Sequence, residues 1–187
     1  MVLTSFNFII CLLICFKLSQ QNLTCSFSSF PFMIGIKETF SFRHVCAGSL
    51  VKPDTVLTLA SCIIGRKEIP GYFTAVAGPS LIGKIGSQRS IAKEIVIHAG
   101  FDRTRYAFDV GLLILQHKFQ LSHLINIVKV PEEFIAEDFG KLYTKAVAIG
   151  WGPYHPGKRI IDDNRYLFNP SLKCVELDLL DEKTVRS

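Results

Sequence analysis

The sequence lacks a long apolar run, a run of basic residues and any zinc-ligand spacing. Its longest apolar run, residues 6–16, falls short of the about 20 residues that a membrane-spanning helix needs. Lysine and arginine never stand more than two together, although the formal net charge is +5. We interpret this as a mildly basic, solvated surface and predict no nucleic-acid partner. No Cys-x-x-Cys or His-rich spacing occurs, so we expect neither a metal site nor a cofactor.

The N-terminal segment is typical of a secretory signal peptide. The apolar run 6–16 is closed by Lys17 and followed by small or polar residues. The residues before the run carry no lysine or arginine, and no Ala-x-Ala cleavage pattern follows. We predict a signal peptide within residues 1–26, cut somewhere between 19 and 26. The protein would then be secreted and extracellular, without a membrane contact after cleavage; a retained membrane anchor is the alternative.

Export decides how the six cysteines are interpreted. Cys11 and Cys15 would leave with the signal peptide, and Cys25 stays only if the cut precedes it. Cysteines that reach an oxidising compartment are disulfide candidates before they are metal ligands. One glycosylation sequon, at Asn22, lies beside or inside the signal, whereas a proline excludes the one at Asn169.

Short apolar runs recur along the chain between Gly, Pro, Asp and Ser residues. Their length and their Val, Ile, Leu and Phe content are typical of strands. Six such runs without a convincing helix between them predict an all-β fold with a closed antiparallel barrel, which leaves no exposed strand edges. The six runs are residues 31–36, 44–51, 55–60, 72–78, 90–98 and 109–116.

The rest of the chain predicts a second barrel that is only begun. Residues 117–141 are more polar and predict a segment that crosses the surface of the first barrel. Two further strand-like runs, 143–152 and 171–180, follow, and two strands cannot form a barrel of their own. We therefore expect a single domain over 27–187: a complete first barrel (27–116), the crossing segment (117–141) and a partial second barrel (142–187).

Five segments in the same order resemble the trypsin-like serine proteases of the chymotrypsin family. HVCAGSLVKPDTVLTLASC resembles the disulfide-closed segment that carries the catalytic histidine, and IVIHAGFDRTRYAFDVGLLIL resembles the segment with the catalytic aspartate. FPFMIGI, AVAIGWG and LKCVELDLLDEKTV resemble the first strand, the entrance to the second barrel and the strand after it. The resemblance covers about residues 30–187 and implies the two-barrel fold of these enzymes. It also implies a disulfide between Cys46 and Cys62.

The family's catalytic residues carry over only in part. Asp109 falls on the aspartate position, but Ser61 stands where the family has its histidine. The Gly-Asp-Ser-Gly-Gly motif that carries the nucleophile does not occur in the 187 residues, and SFSSF stands in place of the activation motif. A serine hydroxyl cannot act as a general base near neutral pH, so we predict no proteolysis by the family mechanism. Without its histidine, Asp109 is expected to be held by backbone N–H groups or by Ser61.

No other histidine is expected to replace the missing base. The candidates lie in a non-catalytic family position or in polar loops, and no nucleophile is present for them to activate. Cys174 often pairs, in the family, with a downstream cysteine that this sequence does not contain. We therefore favour a free or intermolecular Cys174 over a bond to Cys25. The five histidines are His44, His98, His117, His123 and His155.

These observations favour a secreted, non-catalytic protease homologue that binds or regulates a protein. The partners expected are active proteases, their substrates or a second copy, with self-association through the partial second barrel. The alternatives are a serine endopeptidase by family membership and a truncated fragment of one. The nucleotide sequence after the codon for Ser187 would discriminate them, since an in-frame Gly-Asp-Ser-Gly-Gly would mark the chain as a fragment or splice form.

Overall fold

The computed structural model describes residues 23–24, 27–69, 71–79, 86–130, 145–151 and 172–178. These residues form short strands, one helical turn and two 3₁₀ turns, at Phe27–Ser29 and Ile64–Arg66. The elements are β1 (Leu23–Thr24), β2 (Met33–Glu38), β3 (His44–Lys52), β4 (Thr55–Thr58), α1 (Ala60–Ile63), β5 (Phe73–Ala77), β6 (Gln88–Ile97), β7 (Gly111–Leu115), β8 (Lys145–Gly150) and β9 (Lys173–Asp178).

Six of the strands close into an antiparallel barrel in the order β2-β3-β4-β7-β6-β5. This confirms the predicted fold class. Three strand pairs contain a register shift: β2–β3 after Ile36, β3–β4 after Leu50 and β6–β7 after Ala92. Such bulges add local bend and twist, which a small sheet needs in order to close on itself.

The barrel interior is filled by alternate residues of its strands. In β7, for example, Gly111, Leu113 and Leu115 are buried while the two residues between them are half-buried. β-Branched and leucine side chains dominate the core, as expected for a small closed barrel. The fully buried members include Ile34, Ile36, Leu50, Val56, Ile63 and Leu113.

The described residues that follow β7 pack on this barrel. Phe119 and Ile125 are buried in the barrel core. The backbone N–H of Phe119 donates to the carbonyl of Pro53 (2.8 Å), and that of Val128 donates to the carbonyl of Leu50 (2.8 Å). The first compact unit of the chain ends at Val128, inside the predicted crossing segment.

The second unit, Lys17–Cys25 with Lys129–Ser187, contains a three-stranded antiparallel sheet in the order β1-β9-β8. β8 and β9 pair along their whole length, from Lys145 opposite Asp178 to Gly150 opposite Lys173. β1 adds two residues on the other side of β9. Trp151 and Leu172 are buried. In the described part of the chain, the second barrel is only partly present, as the sequence predicted.

The structure differs from the sequence prediction at two places. The run 55–60 was expected to be one strand, but it leaves the sheet at Thr58 and Ala60 begins α1. β1 lies within the predicted signal region, so a cut after residue 26 would remove it. Among the described residues, no helix is long and apolar enough to span a membrane.

Candidate functional site

The helical turn α1 carries Ser61 at the end of β4. Ala60 and Ile63 are fully buried and hold one side of the turn in the barrel, while Ser61 and Cys62 are half-buried. Cys62 forms a disulfide with Cys46 of β3, with a Cα–Cα distance of 6.3 Å. The disulfide implied by the family resemblance is therefore confirmed, and it ties α1 to the neighbouring strand.

Asp109 reaches the same place from the loop before β7. The backbone N–H of Val110 donates to the carbonyl of Phe108 (2.7 Å), and that of His98 donates to the carbonyl of Val110 (3.0 Å). Gly111 then permits a close approach, because a Cβ at this position would lie 2.9 Å from Ile63 Cδ1 and 3.2 Å from the carbonyl oxygen of Val96. The glycine lets α1 and β7 pack closely, which brings Ser61 next to Asp109.

Ser61 donates two hydrogen bonds to the Asp109 carboxylate. Its backbone N–H donates to Oδ1 at 2.7 Å, and its hydroxyl donates to Oδ2 at 2.7 Å. Asp109 is only 6% exposed. A buried charge without partners is strongly destabilising, so these bonds are what make the burial tolerable. The expectation that Ser61 or backbone N–H groups hold the carboxylate is confirmed, since Ser61 supplies both.

The pair has little capacity for acid–base chemistry. In a protease triad the aspartate accepts a hydrogen bond from the imidazole, and the imidazole takes up the proton of the nucleophile. Here the Ser61 hydroxyl donates a hydrogen bond to Asp109, and a hydroxyl is not a base that takes up a proton near neutral pH. A carboxylate is also a far weaker base than an imidazole, so Asp109 does not make Ser61 an effective nucleophile.

Two of the described histidines, His44 and His98, lie close in sequence to these elements. Burial, and to a smaller extent the nearby charge of Lys37, lowers the pKa of His44 to about 4. His98 accepts a hydrogen bond from the backbone N–H of Gly100 (3.1 Å) through Nδ1. Its ring stacks on Phe108, with centroids 5.0 Å apart. His155 and Asn22 lie outside the described residues.

Cys174 differs from its expected state. It takes part in a disulfide, and its partner lies outside the described residues. The free or intermolecular thiol favoured by the sequence is therefore not what the structure shows. Cys174 lies in β9 opposite Leu23 of β1 and is 8% exposed, so it is held inside the three-stranded sheet.

The loop before Asp109 contains a feature that sequence reasoning missed. Tyr106 and Phe108 both have left-handed backbone angles, with φ of 52°, and both side chains are substantially exposed. Asp102 fixes the loop by accepting hydrogen bonds from the backbone and hydroxyl of Thr104 and from the Arg105 guanidinium. The Thr104 and Arg105 bonds hold the pKa of Asp102 well below its usual range. The Asp-x-Thr spacing was the available signal for this turn.

Comparison with known proteins decides the family. The sequence model of the trypsin family matches residues 20–187. The chain belongs to the trypsin family. Related sequences include the clotting factor G beta subunit of Tachypleus tridentatus, 28% identical over 127 residues, and trypsin theta of Drosophila melanogaster, 30% identical over 122 residues. The alignments cover 66% and 65% of this chain but 40% and 43% of the relatives, so it spans about two fifths of their length.

A solved structure agrees with this trypsin-family fold. The human heparin binding protein matches with a TM-score of 0.67 at 22% identity, over 87% of this chain and 66% of that chain. At this level of identity the likeness shows the fold. The assignment of Ser61 to the histidine position and of Asp109 to the aspartate position stays a prediction from their motifs. Their contact is what places both in one site.

Proposed function

We propose that this protein is a secreted trypsin-family member that does not catalyse proteolysis and acts by binding a protein. One observation carries the proposal: Ser61, in the motif position of the catalytic histidine, uses both its N–H and its hydroxyl to hold Asp109. The described residues of the site therefore supply a hydrogen-bonded carboxylate but no base to activate a nucleophile.

Two features support secretion. The apolar run 6–16 has the length and flanks of a signal peptide. The disulfide between Cys46 and Cys62, together with the disulfide at Cys174, is typical of proteins that fold in an oxidising compartment.

Partners are expected at the partial second barrel, residues 142–187. Among the described strands, β8 pairs with β9 alone, so its other edge has no described neighbour. Val147 in this strand is 47% exposed. An apolar edge strand favours pairing with another chain. The partner classes are an active protease, a protease substrate or a second copy of this chain.

Serine endopeptidase activity is the second candidate, as is a fragment of such an enzyme. It is favoured by family membership and by the fact that the chain spans about two fifths of its relatives. A longer form that encodes Gly-Asp-Ser-Gly-Gly would supply a nucleophile, but Ser61 would still occupy the base position. The nucleotide sequence after the codon for Ser187 distinguishes these cases.

The test is an activity measurement on the purified secreted protein. We expect no cleavage of peptide substrates above the rate in buffer and no covalent labelling by a fluorophosphonate probe. Ser61→His should stay inactive as well, because the 187 residues contain no Gly-Asp-Ser-Gly-Gly motif. Ser61→Ala is the matched control, which removes the hydroxyl without adding an imidazole.

Turnover by the unchanged protein, with a serine labelled by the probe, would overturn the proposal. Turnover by Ser61→His alone would show that a nucleophile is present and that the site was only missing its base. Secretion is tested by mass spectrometry of the N-terminus of the protein in the culture medium and in the cell membrane fraction. A protein that is found only in the membrane fraction and keeps Met1 would contradict it.

A further inference from the structure

The turn between β2 and β3 displays two phenylalanines to solvent. Phe40 is 83% exposed and Phe42 is 54% exposed. Phe42 also has a left-handed backbone angle, with φ of 55°. This conformation is strained for a bulky side chain and persists only when the surrounding structure fixes it. The turn thus holds Phe40 and Phe42 in the solvent, so packing in the core of this chain does not account for these two apolar side chains.

Glu38 stabilises the turn through hydrogen bonds and an ion pair. Its carboxylate accepts a hydrogen bond from Ser41 (2.5 Å), pairs with Arg43 and accepts a bond from the Tyr72 hydroxyl (3.0 Å). The Arg43 and Ser41 hydrogen bonds lower the pKa of Glu38 to about 2. The backbone adds two bonds, from Glu38 N–H to the Arg43 carbonyl (2.9 Å) and from Phe42 N–H to the Glu38 carbonyl (3.0 Å).

Cations lie over the aromatic rings of Phe42 and Tyr72. The Arg89 guanidinium lies over the Phe42 ring, 5.6 Å from its centroid, and that of Arg66 lies over Tyr72 at 4.9 Å. Burial, and then the charge of Arg89, lowers the pKa of Lys37. The described contacts of this turn involve four cations, Lys37, Arg43, Arg66 and Arg89, and the carboxylate of Glu38. We call Lys37, Phe40, Phe42, Arg43, Arg66 and Arg89 the aromatic-basic surface.

We propose that the aromatic-basic surface binds an acidic peptide segment of a protein partner, one that also carries an aromatic or large aliphatic side chain. The excess of cations favours an anionic ligand, which would relieve the repulsion between Lys37 and Arg89. The exposed Phe40 and Phe42 rings favour a peptide over a sulfated polysaccharide, because a peptide can pack an apolar side chain against them. The inference stands apart from the proposed function, since it concerns the β2–β3 turn and not the Ser61–Asp109 pair.

The test uses the full chain and three probes. A fluorescein-labelled peptide of Glu-Glu-Phe repeats is titrated with protein at low and high salt, and fluorescence anisotropy gives the Kd. A peptide of Glu-Glu-Ser repeats and a labelled heparin oligosaccharide are the comparison probes. We expect the Phe-containing peptide to bind about tenfold more tightly than the Ser-containing one, with weaker binding at high salt.

Variants assign the binding to this surface. Phe40→Ser, Phe42→Asn and Arg89→Glu should each weaken binding of the Phe peptide about tenfold. Asparagine tolerates the left-handed angle of Phe42, so this variant removes the ring without disturbing the turn. Arg103→Glu and Leu121→Ser change exposed residues of the same types elsewhere and should leave the Kd unchanged. Thermal melts confirm that each variant is folded.

Three outcomes would overturn the proposal. The first is an absence of peptide binding up to about 1 mM protein. The second is equal affinity for the Phe and Ser peptides, or stronger binding of heparin that Phe40→Ser does not change, which would indicate a general polyanion surface. The third is binding that the control variants weaken as much as the surface variants do. None of these outcomes depends on whether the protein cleaves peptides.

Discussion

The six-stranded barrel and the three-stranded sheet are both built from antiparallel strands, but their strands have different numbers of neighbours. Each barrel strand has two, and the ring β2-β3-β4-β7-β6-β5 closes. In the described part of the second unit, β9 alone has two, and one of these is the two-residue β1. The difference shows in burial: Leu113 of β7 is fully buried, whereas Val147 of β8 is 47% exposed.

This contrast indicates that the exposure of an apolar side chain in a strand depends on which strands lie beside it. In the described residues, Leu113 lies in the core of a closed ring, whereas Val147 lies in an edge strand and is partly exposed. Stability is therefore expected to be concentrated in the barrel, and sensitivity to binding partners in the sheet. Five changes test this division, in order of decreasing effect.

The largest effect is expected from a cavity in the barrel. Leu113→Ala removes a fully buried side chain and should lower the free energy of unfolding by about 2–5 kcal/mol. Val147→Ala in β8 is the matched change and should cost within about 0.5 kcal/mol, because its side chain is already half in solvent. Urea unfolding followed by circular dichroism measures both. Equal losses would contradict the division.

Removing the barrel's disulfide should come next. Cys46 and Cys62 are 16 positions apart, and opening a loop of this size costs about 3 kcal/mol in the chain-entropy model. The double variant Cys46→Ala/Cys62→Ala should unfold at correspondingly lower urea than the parent protein. Replacing one cysteine alone is not a suitable control, since it leaves a free thiol. A double variant as stable as the parent would show that the barrel needs no covalent link between β3 and α1.

Asp109→Asn should destabilise the protein by about 1–3 kcal/mol. The amide keeps one oxygen acceptor, so one of the two Ser61 donors loses its partner inside a buried site. Ser61→Ala keeps the backbone bond and should cost only about 1 kcal/mol. The difference between the two variants in the free energy of unfolding, from thermal or urea unfolding, measures how much the carboxylate contributes to stability. A neutral Asp109→Asn would mean that the pair contributes no stability.

A pH effect is expected from His44. Its folded pKa of about 4 lies below the ordinary value of 6.5. Between these values the unfolded chain takes up a proton that the folded protein does not, so stability falls as the pH is lowered through this window. His44→Gln should flatten the dependence of the melting temperature on pH between about 6.5 and 4. His123→Gln, an exposed histidine, is the control and should leave the slope unchanged.

The smallest effect on barrel stability is expected from truncation after Lys141. The first compact unit ends at Val128, so the barrel should remain folded with its unfolding midpoint nearly unchanged. Self-association, or tight binding to a protease-like partner, should be partly lost. Light scattering with and without reductant compares the two forms. A full-length protein that is monomeric and binds no hydrophobic dye would contradict an associating tail.

The sequence predicted the six barrel strands well because each is a short apolar run bounded by turn residues. All six barrel strands overlap the predicted runs. The turn at Ala60 could not be predicted, because the apolar run continues through it and only packing against Gly111 distinguishes helix from strand. β1 was missed because its two residues lie in a segment with the composition of a signal peptide.

The sequence predicted which residues form the site but not their geometry. The motif order placed Ser61 opposite Asp109, yet the second bond, from the Ser61 backbone, depends on the orientation of α1. The left-handed angles at Phe42, Tyr106 and Phe108 were not predictable either. These residues have no intrinsic preference for that region, so surrounding hydrogen bonds impose it.

The bond from Ser61 N–H to Asp109 also has a consequence for the order of folding. α1 is one turn long and its N-cap residue, Leu59, has no side-chain oxygen with which to cap it. Asp109 supplies the cap from 48 positions away. A single helical turn is not stable without such help, so α1 should form only after β7 has docked beside β4. Substitutions within α1 should then speed unfolding and leave the folding rate nearly unchanged.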